Sequence, residues 1–469
     1  MNASSRQLAT LIIVFFFWGF VAASNGILIP LFKAKFELSQ FQSQLVDWAF
    51  YAAYFVGAGI YFIISHYKGD PLNDIGYKKG LIYGLLMSAV GALGFIAAAK
   101  AHSYGFLLSS LFIIGLGFAL QQIVANPYVI AVGKPETGSH RLNLAGGINS
   151  FGTTIGPVLL SYALFGGISG ASPVDASIDG VILPALILCG LFIMMALVLG
   201  FSNLPPITNQ EKLEKDLGAL KYPQLTLGML AIFVYVGVEV TIGSNLGALL
   251  ALPEIKGLDH SRISHFVSLY WGSLMIGRWT GAITVFNLKK TTKQILTTVI
   301  PLLAFGVIYG VNYLRGSDVE DYLYYLPFLG LGIVSFYLAQ EKPARTLMLF
   351  GLLAAIMMVV GLMSTGDLAL YSFISGGLFC SVMWPCIFSL AISGLGKYTN
   401  QGSSLLIMMI LGGAIIPPFQ GFLGDSIGVH ASYIVAVVCF LYLAFYGYRI
   451  RGILKSQGID YDGTAGLSH

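Results

Sequence analysis

The chain runs to 469 residues, of which 56% are hydrophobic and only 10% charged, with a mean hydropathy of +0.80 and a formal net charge of +4. Soluble domains carry roughly 25% charged residues, so this composition excludes a water-soluble globular protein. The small positive charge comes without any dense basic cluster, which excludes a nucleic-acid partner; the partner implied by composition is the lipid bilayer.

The apolar residues fall in runs of about 20, the length that crosses roughly 30 Å of hydrocarbon as a helix. In chain order, helices are predicted near 8–32, 40–65, 79–99, 104–131, 143–166 and 180–202. A polar connection over 204–224 follows. Further helices are predicted near 225–252, 262–287, 293–313, 321–340, 344–364, 368–394, 402–423 and 429–449. The fold class is therefore an all-α integral membrane protein of about fourteen transmembrane helices. Its parts are an N-terminal six-helix bundle over 1–203, a linker over 204–224, a C-terminal bundle over 225–452 and a tail over 453–469. The first run lacks a small-residue cleavage site, so it is expected to be a retained helix. The 57 glycines sit inside the apolar runs, where small residues let helices approach closely. Cys189, Cys380, Cys386 and Cys439 also lie in apolar segments, without metal-type spacing to histidine, and read as buried thiols.

Cytoplasmic loops retain Lys and Arg. One set of loops carries Lys68, Lys78 and Lys79; Lys134 and Arg141; Lys212, Lys215 and Lys221; Lys289, Lys290 and Lys293; Lys342 and Arg345; Lys397; and Arg449, Arg451 and Lys455. The opposite loops are poorer in both, with Lys33, Lys35, Lys256 and Arg262 as exceptions. Both termini are predicted to be cytoplasmic, which requires an even number of helices.

The two parts of the chain echo each other. Ala125-Asn126-Pro127-Tyr128 precedes Gly133-Lys134, and Met383-Trp384-Pro385-Cys386 precedes Gly396-Lys397. Then come Gly152 to Pro157 and Gly412 to Pro417, with the same glycine-to-proline interval. Parallel six-helix repeats joined by a long cytoplasmic linker describe the major facilitator architecture.

At these residues the sequence resembles the fucose permease and glucose/galactose transporter branch of the major facilitators. The resemblance is carried by Phe17-Trp18-Gly19-Phe20, Ile27-Leu28-Ile29-Pro30, Ala125-Asn126-Pro127-Tyr128, Arg141-Leu142-Asn143-Leu144-Ala145 and Asn149-Ser150-Phe151-Gly152. Pro385-Cys386-Ile387-Phe388-Ser389-Leu390 and Gln401-Gly402-Ser403-Ser404 carry it in the second half. It implies a twelve-helix core with one central sugar site. The stretch Leu72 to Lys79 resembles the superfamily's loop between helices 2 and 3, which implies a gating role for Asp74 and Lys78. Three departures stand out. Residues 288–341 have no counterpart in the fucose permease and read as an inserted two-helix hairpin. The permease's two proton-linked carboxylates are replaced by Gly26 and Gln122, so proton coupling through those groups is ruled out. Gln122 and the stretch Tyr235 to Ser244 instead resemble the glucose/galactose members, some of which use sodium.

Charge inside a span is costly and marks function by default. Asp47 on helix 2 lies at about the depth of Gly26 on helix 1. Each is roughly ten residues from the loop midpoint, at most about 15 Å along a helix. Asp47 with Asn25 would offer hard oxygen ligands to a small cation, with sodium favoured over proton as the coupling ion; the alternative is an aspartate solvated at the outer end. Glu239 lies midway along helix 7, where a carboxylate accepts hydrogen bonds from sugar hydroxyls or pairs with a polar group of another helix. Arg278 reads as a charge near the inner gate. The uncharged set is Asn25, Gln121, Gln122, Asn126, Asn149, Ser244 and Asn245, each a sugar ligand or helix–helix glue; Gln122 and Asn126 share a helix face. Trp271 and Trp384 either stack on a pyranose or anchor at the interface.

The leading function is sugar transport by alternating access, cation-coupled with sodium favoured, by a carrier that works as a monomer in a bacterial inner membrane. The alternatives are an uncoupled facilitator and a non-transporting sugar sensor. A membrane enzyme is set aside because the seven histidines lie in loops, at helix ends or in the tail; no cofactor is expected.

Overall fold

A computed structural model describes residues 3–38, 40–165, 178–205, 218–258, 263–286, 288–314 and 316–459. Among these residues there are helices and turns and no strands. That is the outcome hydrocarbon imposes, since a helix satisfies its backbone hydrogen bonds within one segment.

The first repeat comprises α1 (Ala3–Lys35), α2 (Gln40–Lys68), α3 (Tyr77–Lys100), α4 (Tyr104–Ala131), α5 (Gly138–Phe165) and α6 (Ile182–Phe201). The remainder comprises α7 (Pro223–Leu250), α8 (Ser264–Ala282), α9 (Lys290–Leu314), α10 (Leu326–Ala339), α11 (Pro343–Met363), α12 (Gly366–Cys380, resuming as Met383–Ala391), α13 (Thr399–Met408, resuming as Gly412–Ile427) and α14 (Ile434–Ser456). Twelve helical stretches among the described residues are long and apolar enough to cross a membrane. The two that complete the expected fourteen are α5 and α8, which carry more polar residues; at 28 and 19 residues they extend about 42 and about 28 Å. Most of the linker, 206–217, and the end of the tail, 460–469, lie outside the described residues, while α14 runs past the expected boundary at 452.

Two sequence expectations are refined. The run at 368–394 is two helical pieces, because Pro385 has no N–H to offer the carbonyl of Ser381 four residues earlier and the chain turns at Ser381–Val382. The run at 402–423 likewise tightens to a 3-10 turn over Met409–Leu411.

The chain divides into two compact units. The first holds 1–133, 148–219 and 395–408; the second holds 134–147, 220–394 and 409–469. The division falls inside α5 and inside α13, the two helices that the glycine-to-proline interval matches. Within each unit the neighbours correspond. Helix α3 packs on α4 and α6, and α11 packs on α12 and α14. A Cβ at Gly152 would run into the carbonyl oxygen of Phe16 on α1, and one at Gly412 into that of Phe233 on α7. Glycine at these two positions is what lets each helix lie against its partner's backbone.

The inserted hairpin, α9 with α10, joins the second unit. Asn312 on α9 donates to Ser268 Oγ of α8 at 2.9 Å, and the Tyr322 hydroxyl donates to the carbonyl of His265 at 2.5 Å. At one end Lys256 lies 2.5 Å from Asp367 and 3.6 Å from Asp321. At the other, Lys293 pairs with Glu341 at 3.2 Å. Its outward flank presents Leu302, Leu303, Val334 and Leu338, side chains that need no partner where lipid is the solvent.

Candidate functional site

In the first unit, α4 carries the amides. Gln121 is buried and bonded at both ends of its amide: Trp18 Nε1 donates to its Oε1 at 3.0 Å, and its Nε2 donates to Ser88 Oγ at 3.0 Å. Gln122 is half-buried and donates to the Tyr54 hydroxyl at 3.1 Å. One turn on, Asn126 is completely buried and donates to the carbonyl of Gln122 at 2.9 Å. Its Oδ1 has no partner, an acceptor that a buried site leaves open at a cost unless something donates to it. Asn149 on α5 donates to the carbonyl of Phe15 at 3.1 Å. Trp18, named in the sequence only within the motif Phe17–Phe20, and Tyr54, not named at all, are thus the partners of the two glutamines. Asn25 lies in α1 and Asp47 in α2; their side chains lie outside the described residues, and so does any sodium site they would form.

In the second unit, Glu239 on α7 and Arg278 on α8 form an ion pair, Nη2 to Oε1 at 3.3 Å, with side chains 13% and 12% exposed. Arg278 Nε donates to the carbonyl of Ser381 at 3.3 Å. That carbonyl is the one Pro385 leaves without a helical partner. Close approach of α8 to α12 at Gly277, where a Cβ would strike Ser381, brings the guanidinium within reach. The Tyr270 hydroxyl donates to the Glu239 carbonyl at 2.6 Å. Trp384 lies 6.1 Å from the Tyr235 ring. Trp271, 36% exposed, packs over Gly243, where a Cβ would come within 2.8 Å of the indole. Ser244 is exposed and donates to the carbonyl of Val240 at 2.8 Å. Asn245 donates to the carbonyl of Thr241 at 3.0 Å and to Gln420 Oε1 at 3.4 Å. Glu239, Arg278, Tyr235 and Trp384 form one polar and aromatic group, while Ser244 and Asn245 are tied to their own helix and to α13.

At the lysine-rich end of the first unit, Asp74 is exposed and Lys78 donates to the carbonyl of Ser202 at 2.9 Å. The buried carboxylate there is Asp70. It caps the short helix Pro71–Ile75, accepting from the Leu72 N–H at 2.9 Å. Tyr61 also donates to it, and Asn400 Nδ2 donates at 2.6 Å. Tyr77 in turn donates to Asn400 Oδ1 at 2.5 Å. Burial pushes the Asp70 pKa above the usual carboxylate value, opposed by the bonds from Tyr61, Asn400 and Leu72. Gly69-Asp70-Pro71 was the available signal, a capping aspartate before a proline at the first helical position. Among the described residues no group of three or more His, Cys, Asp and Glu is arranged to hold a metal ion.

Helical repeats with matched proline breaks, and buried amides and an ion pair inside spanning helices, define a polytopic membrane carrier. The sequence profile of the Major Facilitator Superfamily matches residues 10–397, and the chain belongs to that family. Among curated relatives, a glucose/galactose transporter of Brucella abortus is 34% identical over 94% of this chain and 93% of its own length. A putative glucose/galactose transporter of Helicobacter pylori is 30% identical over 96% and 97%. The L-fucose-proton symporter of Escherichia coli is 28% identical over 92% and 90%. A crystal structure of the Escherichia coli fucose:proton symporter superposes with a TM-score of 0.73 at 24% identity, covering 96% of this chain and 99% of that one, which establishes the shared fold. The family transports rather than catalyses, so the chain is a transporter and not an enzyme.

Proposed function

We propose that this protein carries a hexose of the glucose/galactose kind across a bacterial inner membrane by alternating access, as a monomer with both termini cytoplasmic. The observation that carries this reading is the near full-length similarity to relatives named glucose/galactose transporters. The chemistry of the helices suits it. Asn126 Oδ1 awaits a donor, Gln122 supplies both donor and acceptor, and Trp384 offers a ring face to the apolar side of a pyranose. Glu239 serves the sugar from within its pair with Arg278.

For coupling, Asp47 with Asn25 is the sodium site on this reading, because Gly26 and Gln122 cannot titrate. The relatives named for a coupling ion are the fucose symporters, and the ion named is the proton. Uptake of labelled glucose and galactose into proteoliposomes, with sodium and pH gradients imposed separately, tests the whole reading. Sodium-driven uptake that is lost in Asp47→Asn, with sugar exchange retained, is the expected result. Uptake driven by a pH gradient in sodium-free buffer removes the sodium site, and uptake indifferent to both gradients makes the protein a facilitator. Saturable binding without any flux identifies a sensor.

A further inference from the structure

A cavity of about 730 Å³ lies at the lysine-rich end of the second unit, beneath the inserted hairpin. That is the size of a small-molecule site, and none of the residues assigned to sugar lines it. Its walls come from the first turns of α5, the end of α8, the start of α9 and the turn between α10 and α11. Buried His140 already joins three of these elements. Its ring nitrogens lie 3.0 Å from the carbonyl oxygen of Gly281 and 3.1 Å from that of Glu341.

Two polar atoms in the wall have no partner. Ser139 is 1% exposed and Asn143 is 3% exposed, and neither Ser139 Oγ nor Asn143 Oδ1 makes a hydrogen bond. Two ammonium groups line the same space. Lys293 donates to both carboxylate oxygens of Glu341, at 3.4 and 3.2 Å, and keeps a third N–H donor. Lys290 lies exposed on the first turn of α9.

We propose that this cavity binds a phosphate ester that also carries free hydroxyl groups. An ionised phosphate group, monoester or diester, only accepts hydrogen bonds, which matches Lys290 and Lys293. It cannot satisfy Asn143 Oδ1, which also only accepts; a hydroxyl on the same ligand can. An uncharged sugar offers hydroxyls but leaves the two ammonium groups with the Glu341 carboxylate alone to balance them. The chemistry therefore selects a molecule with both features, available as a soluble phosphorylated hexose or as the headgroup of phosphatidylglycerol. Once bound, it bridges α5, α8 and the hairpin beside the bonds that His140 makes. It then slows transport without competing with the sugar.

Binding is read without transport, so the test stands apart from the sugar-carrier reading. Full-length protein in phosphatidylcholine nanodiscs is dialysed against radiolabelled glucose 6-phosphate. Saturable binding is expected, unaffected by excess glucose and about tenfold or more weaker in Lys290→Glu, the loss of one charge-assisted contact. Lys290 is exposed, so this variant keeps the fold. Thr284→Trp, which fills the cavity wall, abolishes binding by a second route. If glucose 6-phosphate does not bind but phosphatidylglycerol in the nanodisc raises the thermal midpoint of the wild type and not of the variants, the occupant is the lipid headgroup. Inorganic phosphate binding as tightly as glucose 6-phosphate overturns the hydroxyl requirement. Absence of both effects, or effects unchanged in both variants, overturns the site.

Discussion

Arg278 donates from Nε to the carbonyl of Ser381, the carbonyl freed by Pro385. The first repeat does the same at the matched proline: Pro127 leaves the carbonyl of Ile123 without its helical donor, and Ser403 Oγ bonds it at 2.9 Å. A proline in a span is tolerated where side chains re-satisfy the backbone groups it frees. Here the re-satisfying groups are a buried guanidinium and a serine of α13. Pro385→Ala restores an N–H that competes with Arg278 for Ser381. Sugar uptake is expected to fall about tenfold, the worth of one hydrogen bond to a charged group, while the thermal midpoint does not fall. Parallel losses of uptake and midpoint would reduce the proline to a folding role.

The Glu239–Arg278 pair gives the sharper stability test. Removing one member of a buried pair leaves an uncompensated charge and costs about 3–5 kcal/mol. Arg278→Met is therefore expected to be strongly destabilising, and Arg278→Met with Glu239→Gln to recover most of the loss. Sugar uptake stays low in the double variant, since the carboxylate acceptor is gone. Chemical unfolding of all the variants, read beside uptake, checks both halves; recovery of uptake in the double variant would take Glu239 out of the sugar site.

Much of this organisation was readable from residues near each other in sequence. The repeat followed from a glycine-to-proline interval, and the shared face of Gln122 and Asn126 from four-residue spacing, which the bond from Asn126 to the Gln122 carbonyl now expresses. The hairpin followed from two apolar runs between lysines. What sequence did not show was who partners whom over long separations. Glu239 and Arg278 stand 39 positions apart, and Asp70 and Asn400 330 apart. The capping pattern Gly69-Asp70-Pro71 sets Asp70 apart from Asp74 locally, but its long-range partner emerges only when α13 packs on α2 and brings Asn400 to the carboxylate.

Asp70 makes stability depend on pH in an unusual direction for a carboxylate. Its pKa is raised in the folded protein, first by burial. As pH rises past the ordinary value near 4, the unfolded chain releases the proton first, so the folded state holds more protons and stability falls. The fall continues until pH passes the raised folded value. Asp70→Asn lacks this titration. The thermal midpoint of the wild type relative to Asp70→Asn is expected to decline across that window in detergent, and a rising difference would show that the three donated hydrogen bonds outweigh burial.

Lys256 holds the turn between α9 and α10. Burial opposes its charge, yet the bond to Asp367 and the charges of Asp321 and Asp367 leave its pKa raised. The partners are 47% and 34% exposed, so screening keeps the contribution near about 1 kcal/mol. Lys256→Met is expected to speed hydrogen exchange over 316–325 with little change in global unfolding, and high salt is expected to have the same effect on the wild type. Unchanged exchange would assign the anchoring to Tyr322 and Asn312 alone.

The two repeats solve one packing problem with the small residue on opposite helices, and this separates backbone clashes from side-chain clashes. On α5, Gly156 lies against α1 at Phe20, where a Cβ would come 2.9 Å from the Phe20 carbonyl oxygen. The corresponding contact of α13 with α7 has Ile416 on the later helix and Gly237 on the earlier one, and a Cβ at Gly237 would strike the Ile416 side chain. One turn earlier, Gly412 faces the carbonyl of Phe233, which cannot move without shifting α7. Overpacking of this kind costs about 1–3 kcal/mol. Gly237→Ala is therefore expected to lose stability that Ile416→Ala restores in the double variant, because trimming Ile416 makes room for the new methyl. Gly412→Ala is expected to lose at least as much, with no recovery from Ile416→Ala, because its obstacle is backbone. Thermal unfolding of these single and double variants measures both. Equal rescue of Gly237→Ala and Gly412→Ala by Ile416→Ala would mean that α13 tilts as a rigid rod and that no fixed backbone contact sets its distance from α7.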